Sequence, residues 1–223
     1  MTTFRKIVFR NEQIYHVFNR GVERRTVFTN RKELERAKQL IKFYRHKDIP
    51  IRFSQVMNQP EEIKNKILEK LYRTNQQVDI ISYCLMPNHF HFILKQNTEN
   101  GVARFISNFT NAYTKYFNTK HKRIGPLFQG IFKALIVETD EQLIHLSRYI
   151  HLNPVSSSII KEDQLTIYPY SSLMEYLLLS NDEISKTDVV LSMFKTSEKY
   201  RDFVINQLEY AKRLDEIKHL VLE

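Results

Sequence analysis

Two imidazoles alternate with two phenyl rings in the run His89-Phe90-His91-Phe92, which lies inside an apolar stretch. Successive side chains of a strand point to opposite faces, so His89 and His91 share one face while Phe90 and Phe92 point towards a core. Neutral imidazoles held side by side are ligands for a divalent metal ion. The run therefore predicts a two-histidine metal site on a strand.

A second group of candidate residues is Tyr149 and Asn153, which fall in a segment with helical spacing of apolar residues. At positions i and i+4 they are neighbours on one helix face, with Cβ atoms about 6 Å apart. A phenol can act as a covalent nucleophile, and Asn153 can offer an amide oxygen to a metal ion. Placed against two histidines, this pair could cut a phosphodiester through a covalent intermediate.

Each of these residues also has an ordinary structural interpretation. His89 and His91 taken alone could be surface-facing strand residues, and Asn153 could be the last helical residue before Pro154. The combination with Tyr149 favours the metal site over this alternative.

Activation of Tyr149 needs a further group, because it must attack as a phenolate and a free phenol has a pKa of about 10. The sequence identifies no single base. His145, at i−4, faces the same side of the predicted helix as Tyr149 and is the better helper, whereas His151 points away around the helix. Activation by the metal ion is the other possibility.

Tyr113 and Tyr116 compete for the nucleophile role, since they also lie on a predicted helix after the histidine strand. Neither has an Asn, Gln, Asp, Glu or His at i+4, where Phe117 and Lys120 stand instead. Packing or DNA contact is therefore the favoured role for both tyrosines.

Composition is consistent with a nucleic-acid partner. The chain has 223 residues, 42% of them hydrophobic, and a formal net charge of +9, which favours a polyanionic ligand. The alternative is a basic surface without a binding role. The lone Cys84 cannot form an internal disulfide and is predicted to be a buried apolar residue. Because no apolar run approaches a membrane span, we expect a cytoplasmic protein without a membrane partner.

Basic residues cluster at two places that could contact a DNA backbone, although either cluster could be a solvated face. The predicted DNA contacts are Arg20, Arg24, Arg25, Lys115, Lys120, Lys122, Arg123 and Lys133.

The elements that must position these residues follow from local patterns. Strands are predicted at 14–18, 51–57, 78–85, 89–95 and 132–138. Helices are predicted at 31–46, 60–72, 101–118 and 140–153. Helices packed on a mainly antiparallel sheet give an α+β fold with a ferredoxin-like palm over residues 1–155.

Residues 156–223 have a different amino-acid composition and are predicted to form a C-terminal helical extension. Its helices are expected at 172–179, 188–194 and 197–221. Tyr168, Tyr170 and Tyr176 could stack on bases, but core or interface packing is favoured.

The chain resembles the single-tyrosine HUH transposases, and within them the REP-associated tyrosine transposase branch. The resemblance covers roughly the first 155 residues and is carried by four motifs in order: Tyr15-His16-Val17-Phe18-Asn19-Arg20-Gly21, Tyr83-Cys84-Leu85-Met86-Pro87-Asn88-His89-Phe90-His91, Gly125-Pro126-Leu127-Phe128-Gln129-Gly130 and Arg148-Tyr149-Ile150-His151-Leu152-Asn153-Pro154-Val155. One departure is Ile131, where family members often have Arg.

The resemblance implies a DNA-cleaving and DNA-rejoining transposase. Tyr149 would be the nucleophile, and His89, His91 and Asn153 would hold Mg²⁺ or Mn²⁺. The partner would be single-stranded DNA next to a folded hairpin, cut to leave a 5'-phosphotyrosine and a 3'-hydroxyl. Related transposases are monomers or homodimers, and the sequence does not choose between them.

Two other functions compete with this interpretation. A non-catalytic nucleic-acid-binding protein on the same scaffold would use the basic and aromatic residues and ignore the histidines. A phosphohydrolase that activates water on a metal ion is disfavoured, because no Asp or Glu accompanies the two histidines in sequence.

Overall fold

A four-stranded antiparallel sheet is the centre of the fold, and its strands lie in the order β2-β3-β1-β4. We describe residues 7–208 of a computed structural model. The elements of the first part of the chain are β1 (Ile14–Arg20), α1 (Arg31–Tyr44), α2 (Phe53–Met57), α3 (Glu61–Tyr72), β2 (Val78–Met86), β3 (His89–Gln96), α4 (Gly101–Lys120), β4 (Lys133–Val137) and α5 (Asp140–Ser156). This strand order, with helical crossovers after β1 and β3, confirms the predicted α+β ferredoxin-like palm.

One face of the sheet is covered by α1 and α4, which also pack against each other. Phe90 and Phe92 are fully buried on this face. The Phe90 ring centroid lies 5.4 Å from that of Phe109 on α4, and the Phe92 centroid lies 5.7 Å from that of Phe105. Burial of each such side chain stabilises the fold by roughly 1.5–3 kcal/mol. The predicted inward direction of both phenylalanines is confirmed.

The opposite face is covered by α5 and by the chain that follows it. Thr139 caps α5, since its hydroxyl accepts a hydrogen bond from the Gln142 amide at 3.1 Å. The helix runs three residues beyond its predicted end at Asn153, and Pro154 lies in its last turn. Proline has no N–H to donate, but the turn still closes through the Ser157 amide, which donates to the Asn153 carbonyl at 3.0 Å.

The C-terminal segment packs on the same face and forms short helices. These are α6 (Leu173–Tyr176), α7 (Asp188–Leu191) and α8 (Ser197–Ile205). The segment also covers the β2 edge, where the Leu85 amide donates to the Tyr170 carbonyl and the Lys186 amide to the Ile80 carbonyl, each at 2.8 Å. The predicted helix at 197–221 is described only as far as residue 208, and its remainder lies outside the described residues.

The three tyrosines of this segment pack inside the protein, as the sequence favoured. Tyr176 is fully buried and Tyr170 nearly so. The Tyr168 hydroxyl donates to the Leu85 carbonyl at 2.9 Å. Their rings therefore serve packing on the sheet.

The predicted strand at 51–57 is wrong, because Phe53–Met57 forms helix α2. Phe53 and Val56 are both buried, which is the i, i+3 spacing of a short helix. The Arg52 amide donates to the Gln55 side chain at 3.0 Å and closes the first turn. A short apolar run fits a strand and a helix equally well by periodicity, and the tertiary contacts decided for the helix.

Two expectations from composition can be compared with the structure. Cys84 is fully buried as a free thiol, as predicted. Within residues 7–208, no helix is both long and apolar enough to cross a membrane.

Candidate active site

The two histidines of β3 lie on the face of the sheet that α5 covers. The predicted shared face is confirmed, with the ring centroids of His89 and His91 5.0 Å apart. On the neighbouring strand β1, Arg20 stands opposite His89 and Phe18 stands opposite His91. His91 is only 6% exposed, whereas His89 is half-buried.

Both histidines are neutral at physiological pH because they are buried. Burial, assisted by the charge of Arg20, lowers the pKa of His89 to about 4. Burial also holds the pKa of His91 well below its ordinary value, with further contributions from His89, His16 and Arg20. A neutral imidazole keeps one nitrogen lone pair available as a ligand or acceptor.

Helix α5 brings Tyr149 and Asn153 onto these histidines. The Tyr149 ring centroid lies 5.7 Å from that of His91, edge to face, and the side chain is 42% exposed. Asn153 is buried beside the His89 side chain and donates to the Tyr149 carbonyl at 3.3 Å. The structure thus brings together all four residues that the sequence singled out.

The donors gathered here fit a divalent cation. Two neutral imidazoles and one amide oxygen suit a borderline or hard metal ion, and the set carries no charge of its own. Among residues 7–208, no group of three or more His, Cys, Asp and Glu side chains is placed to hold a metal ion. The donors available in this site are the imidazoles of His89 and His91 and the side-chain oxygen of Asn153.

The other histidines of α5 are engaged elsewhere. The Nδ1 atom of His145 accepts a hydrogen bond from the Arg148 guanidinium at 2.8 Å, and the ring lies beside Phe203. His151 points away from Tyr149, as predicted, and is fully buried. It bonds to the Ser172 hydroxyl at 2.8 Å and to the Tyr200 hydroxyl at 2.7 Å.

Tyr113 and Tyr116 lie on α4, which packs on the aromatic face of the sheet. The Tyr113 hydroxyl donates to the Val27 carbonyl at 2.6 Å, and burial raises its pKa far above the ordinary value. Tyr116 is half-buried, with the Arg36 guanidinium 5.1 Å from its ring centroid. Both tyrosines therefore pack on the side of the sheet away from the histidines.

His16 is a member of the site that the sequence motifs contained but did not assign. Its Nε2 atom lies 2.9 Å from the Nδ1 atom of His91, and the two rings stack with centroids 5.1 Å apart. The alternation of His16, Phe18 and Arg20 along β1 places all three on one face. That pattern was readable in the sequence, but the pairing of β1 with β3 was needed to connect it to His91.

Several of the predicted DNA contacts surround this site. Arg20 faces the same side as His89, and Lys133 pairs with Phe18 across β4 and β1, so it flanks the same face. Arg24 lies beside the β2–β3 turn, where its carbonyl accepts from the Asn88 amide at 3.4 Å. Arg25 pairs with Glu23 at 2.9 Å.

The remaining basic residues lie at the end of α4, and two of them have intramolecular partners. The Lys120 ammonium pairs with buried Glu33 at 2.7 Å, and the Arg123 guanidinium donates to the Asn118 side chain at 2.6 Å. Lys115 and Lys122 are both exposed.

Lys115 and Lys120 also line a groove of about 970 Å³ between α1, α2 and α4. Its further basic side chains are Arg36 and Arg52, and its described lining contains no Asp or Glu. The groove therefore combines a mainly uncharged lining with four basic side chains, and it lies on the side of the sheet away from the histidines.

Comparison with known proteins identifies a family for this chain. A family model described as an IS200-like transposase matches residues 10–153, which is more than half of the chain. A solved structure of a REP-associated tyrosine transposase bound to a REP hairpin is 15% identical, with 83% of this chain and 98% of that chain covered and a TM-score of 0.49. A search of curated proteins finds no match. The family predicted from the sequence motifs is confirmed, and the chain belongs to the IS200-like transposases.

Proposed function

We propose that this protein cleaves and rejoins single-stranded DNA next to hairpins through a 5'-phosphotyrosine on Tyr149. The observation that carries the proposal is the position of Tyr149, whose ring centroid lies 5.7 Å from that of His91 while its helix neighbour Asn153 lies beside His89. The arrangement puts a phenol beside a set of possible metal donors in a chain that belongs to the IS200-like transposases.

A divalent metal ion bound at this site would supply electrostatic stabilisation. Held by His89, His91 and Asn153, Mg²⁺ or Mn²⁺ would polarise the oxygens of the scissile phosphate and stabilise the charge that develops in the transition state.

The chain's own residues account for the covalent step. The Tyr149 oxygen forms a bond to phosphorus as the bond from phosphorus to the 3'-oxygen breaks, and the phenol proton is transferred to the departing 3'-oxygen. The products are a 5'-phosphotyrosine and a 3'-hydroxyl. In the reverse step a 3'-hydroxyl attacks the phosphotyrosine, so strand joining conserves the bond energy and needs no nucleotide hydrolysis. The direction of cleavage follows from the family resemblance.

The rings of His91 and His16 lie 5.7 Å and 6.5 Å from the Tyr149 ring, measured between centroids. A His91 that binds the metal ion through one nitrogen and bonds to His16 through the other has no lone pair left to accept the phenol proton. His145 stays a predicted helper, with its Nδ1 atom already engaged by Arg148.

The DNA would be positioned by the basic residues around the histidine face. Arg20 stands next to His89 and would hold a phosphate beside the scissile one, with Lys133 and the Arg24–Arg25 loop extending the contact. Lys115, Lys120, Lys122 and Arg123 would contact a more distant part of the folded DNA.

The experiment uses labelled single-stranded hairpins from the flanks of the protein's own gene, incubated with Mg²⁺ or Mn²⁺. A covalent adduct is expected with the wild-type protein. Tyr149→Phe removes one hydroxyl and should eliminate adduct and cleavage while leaving hairpin binding nearly intact. Tyr116→Phe is the matched control, since it removes a hydroxyl from the other side of the sheet and should leave the adduct unchanged.

Two outcomes would contradict the proposal. DNA found on Tyr113 or Tyr116 by peptide mapping would show that the nucleophile is misassigned. If no adduct formed on any single-stranded substrate with either metal ion, a non-catalytic nucleic-acid-binding protein would explain the chain better.

A further inference from the structure

Each histidine of the pair on β3 has a partner for its Nδ1 atom. His89 Nδ1 lies 2.5 Å from the Asn88 side-chain oxygen, and His91 Nδ1 lies 2.9 Å from His16 Nε2. The Asn88 oxygen can only accept, so a hydrogen bond there places the His89 proton on Nδ1 and leaves Nε2 unprotonated. The Asn88 amide is itself oriented, since its NH₂ group donates to the Arg24 carbonyl at 3.4 Å.

The contact between His91 and His16 differs because either imidazole could donate. A neutral imidazole carries one N–H, and the hydrogen bond at one nitrogen decides which lone pair remains at the other. If His16 donated from Nε2, the His91 proton would lie on its own Nε2, and that atom could not be a ligand. If His91 donates from Nδ1, its Nε2 lone pair is free and the His16 proton lies on Nδ1 of His16.

The position of His16 is set by its surroundings. It is 8% exposed, and its ring stacks on His91 at 17° between planes and on Phe18 with centroids 4.9 Å apart. A buried polar ring is costly unless it is hydrogen-bonded, so the bond to His91 is part of what makes a histidine tolerable here. If His91 is the donor, the Nε2 lone pair of His16 is used by this bond and its Nδ1 carries the proton, so His16 is not itself a third ligand.

We propose that His16 is a positioning residue that accepts a hydrogen bond from His91 Nδ1–H and thereby presents the unprotonated Nε2 of His91 to the metal ion. This role rests on the proposed function, in which His91 is a ligand. Asn88 does the same for His89. The two ligands therefore have different orienting partners, the preceding residue in the chain for His89 and a residue of β1 for His91.

The wild-type protein provides the first test. Nitrogen-15 NMR of histidine-labelled protein reports which ring nitrogen is protonated, with and without Mg²⁺. The expected result is that both His91 and His16 carry their proton on Nδ1 and have an unprotonated Nε2. A proton on Nε2 of His91 would overturn the proposal.

Two substitutions of His16 then separate orientation from packing. His16→Phe keeps a stacked ring but removes the acceptor, and it should weaken Mn²⁺ binding, measured by calorimetry on the DNA-free protein, by roughly 10- to 100-fold. His16→Gln keeps an acceptor oxygen near the place of Nε2 and should restore most of the affinity. Thermal melts identify variants that do not fold, and the NMR result on the wild-type protein decides the question if His16→Phe is one of them.

The possible failures can be told apart. Equal Mn²⁺ affinity of wild-type protein and folded His16→Phe would overturn the role of His16 while leaving the metal site in place. A wild-type protein that bound no Mn²⁺ would overturn both the metal site and this inference. A wild-type protein that bound Mn²⁺ but formed no DNA adduct would count only against the role of Tyr149.

Discussion

The two faces of strand β3 differ in what their side chains do. Phe90 and Phe92 face α4 and pack among other aromatic rings, so they contribute apolar burial and nothing reactive. His89 and His91 face α5, where their neighbours are Tyr149, Asn153 and His16. One strand of eight residues therefore separates stability from chemistry by the direction of alternate side chains.

This separation has an energetic cost on the histidine face. Burial there lowers the pKa of His16 and of His89 to about 4, which means that the neutral forms are stabilised and that protonation opposes folding. The aromatic face has no such penalty. Substitutions on the two faces should accordingly fail in different ways.

The largest effect is expected on the histidine face. His89→Ala or His91→Ala should abolish metal-dependent cleavage of a hairpin substrate, because each removes a proposed ligand, while a melt should show a folded protein. Full cleavage by the doubly substituted protein would show that the two histidines do not hold the metal ion.

On the aromatic face, Phe90→Ala should act on stability. Phe90 is fully buried against Phe109 and Phe128, so its truncation should cost roughly 3–5 kcal/mol of unfolding free energy, measured by urea denaturation. Cleavage by the fraction that remains folded should persist. A Phe90→Ala protein with wild-type stability but no cleavage would mean that stability and activity are not divided between the two faces.

Acid should destabilise the layer that carries α5. Burial lowers the pKa of His151 to about 3, whereas the pKa of a histidine in the unfolded chain is about 6.5. The unfolded state therefore binds the extra proton as pH falls below about 6.5, and stability is lost on the acid side, by roughly 2 kcal/mol from this residue at about pH 5.

His151→Gln keeps polar groups toward Ser172 and Tyr200 but cannot protonate. Urea denaturation at neutral and mildly acidic pH should show a smaller acid loss for this variant than for the wild-type protein. Identical pH dependence in both proteins would mean that His151 does not keep its lowered pKa.

The smallest effects are expected from the basic residues outside the two faces. Neutralising Arg24 and Arg25, or Lys120, Lys122 and Arg123, should lower hairpin affinity and the slope of its salt dependence, since each lost phosphate contact reduces the slope by about one. Lys66→Gln with Arg73→Gln is the control, because these exposed side chains pair with glutamates on α3. Unchanged slopes in both test variants would place the DNA elsewhere.

Among the basic residues, Lys120 and Arg123 have partners within the protein that composition does not reveal. Both were predicted as DNA contacts, and both have partners within the protein, Glu33 and Asn118 respectively. Glu33 lies on α1 and is fully buried, so no local pattern near Lys120 indicated this ion pair.

Local periodicity was enough to determine which residues of one element share a face. The alternation in β3 fixed the directions of His89 and His91, and the i, i+4 spacing in α5 placed Tyr149 beside Asn153, because both follow from backbone geometry alone. The same reasoning failed for Phe53–Met57, where a short apolar run has no distinctive period.

Contacts between elements were decided only by the tertiary structure. The hydrogen bond between His16 and His91 joins residues 75 positions apart, and it exists because β1 lies between β3 and β4 in the sheet. Helix α8 likewise brings the Phe203 ring centroid to 5.7 Å from that of His145 and to 4.2 Å from the Arg148 guanidinium carbon. Strand order and side-chain partners arise from the packing of the whole core, which is a property of distant residues together, whereas the facing of a side chain along its own strand or helix is set by its immediate backbone.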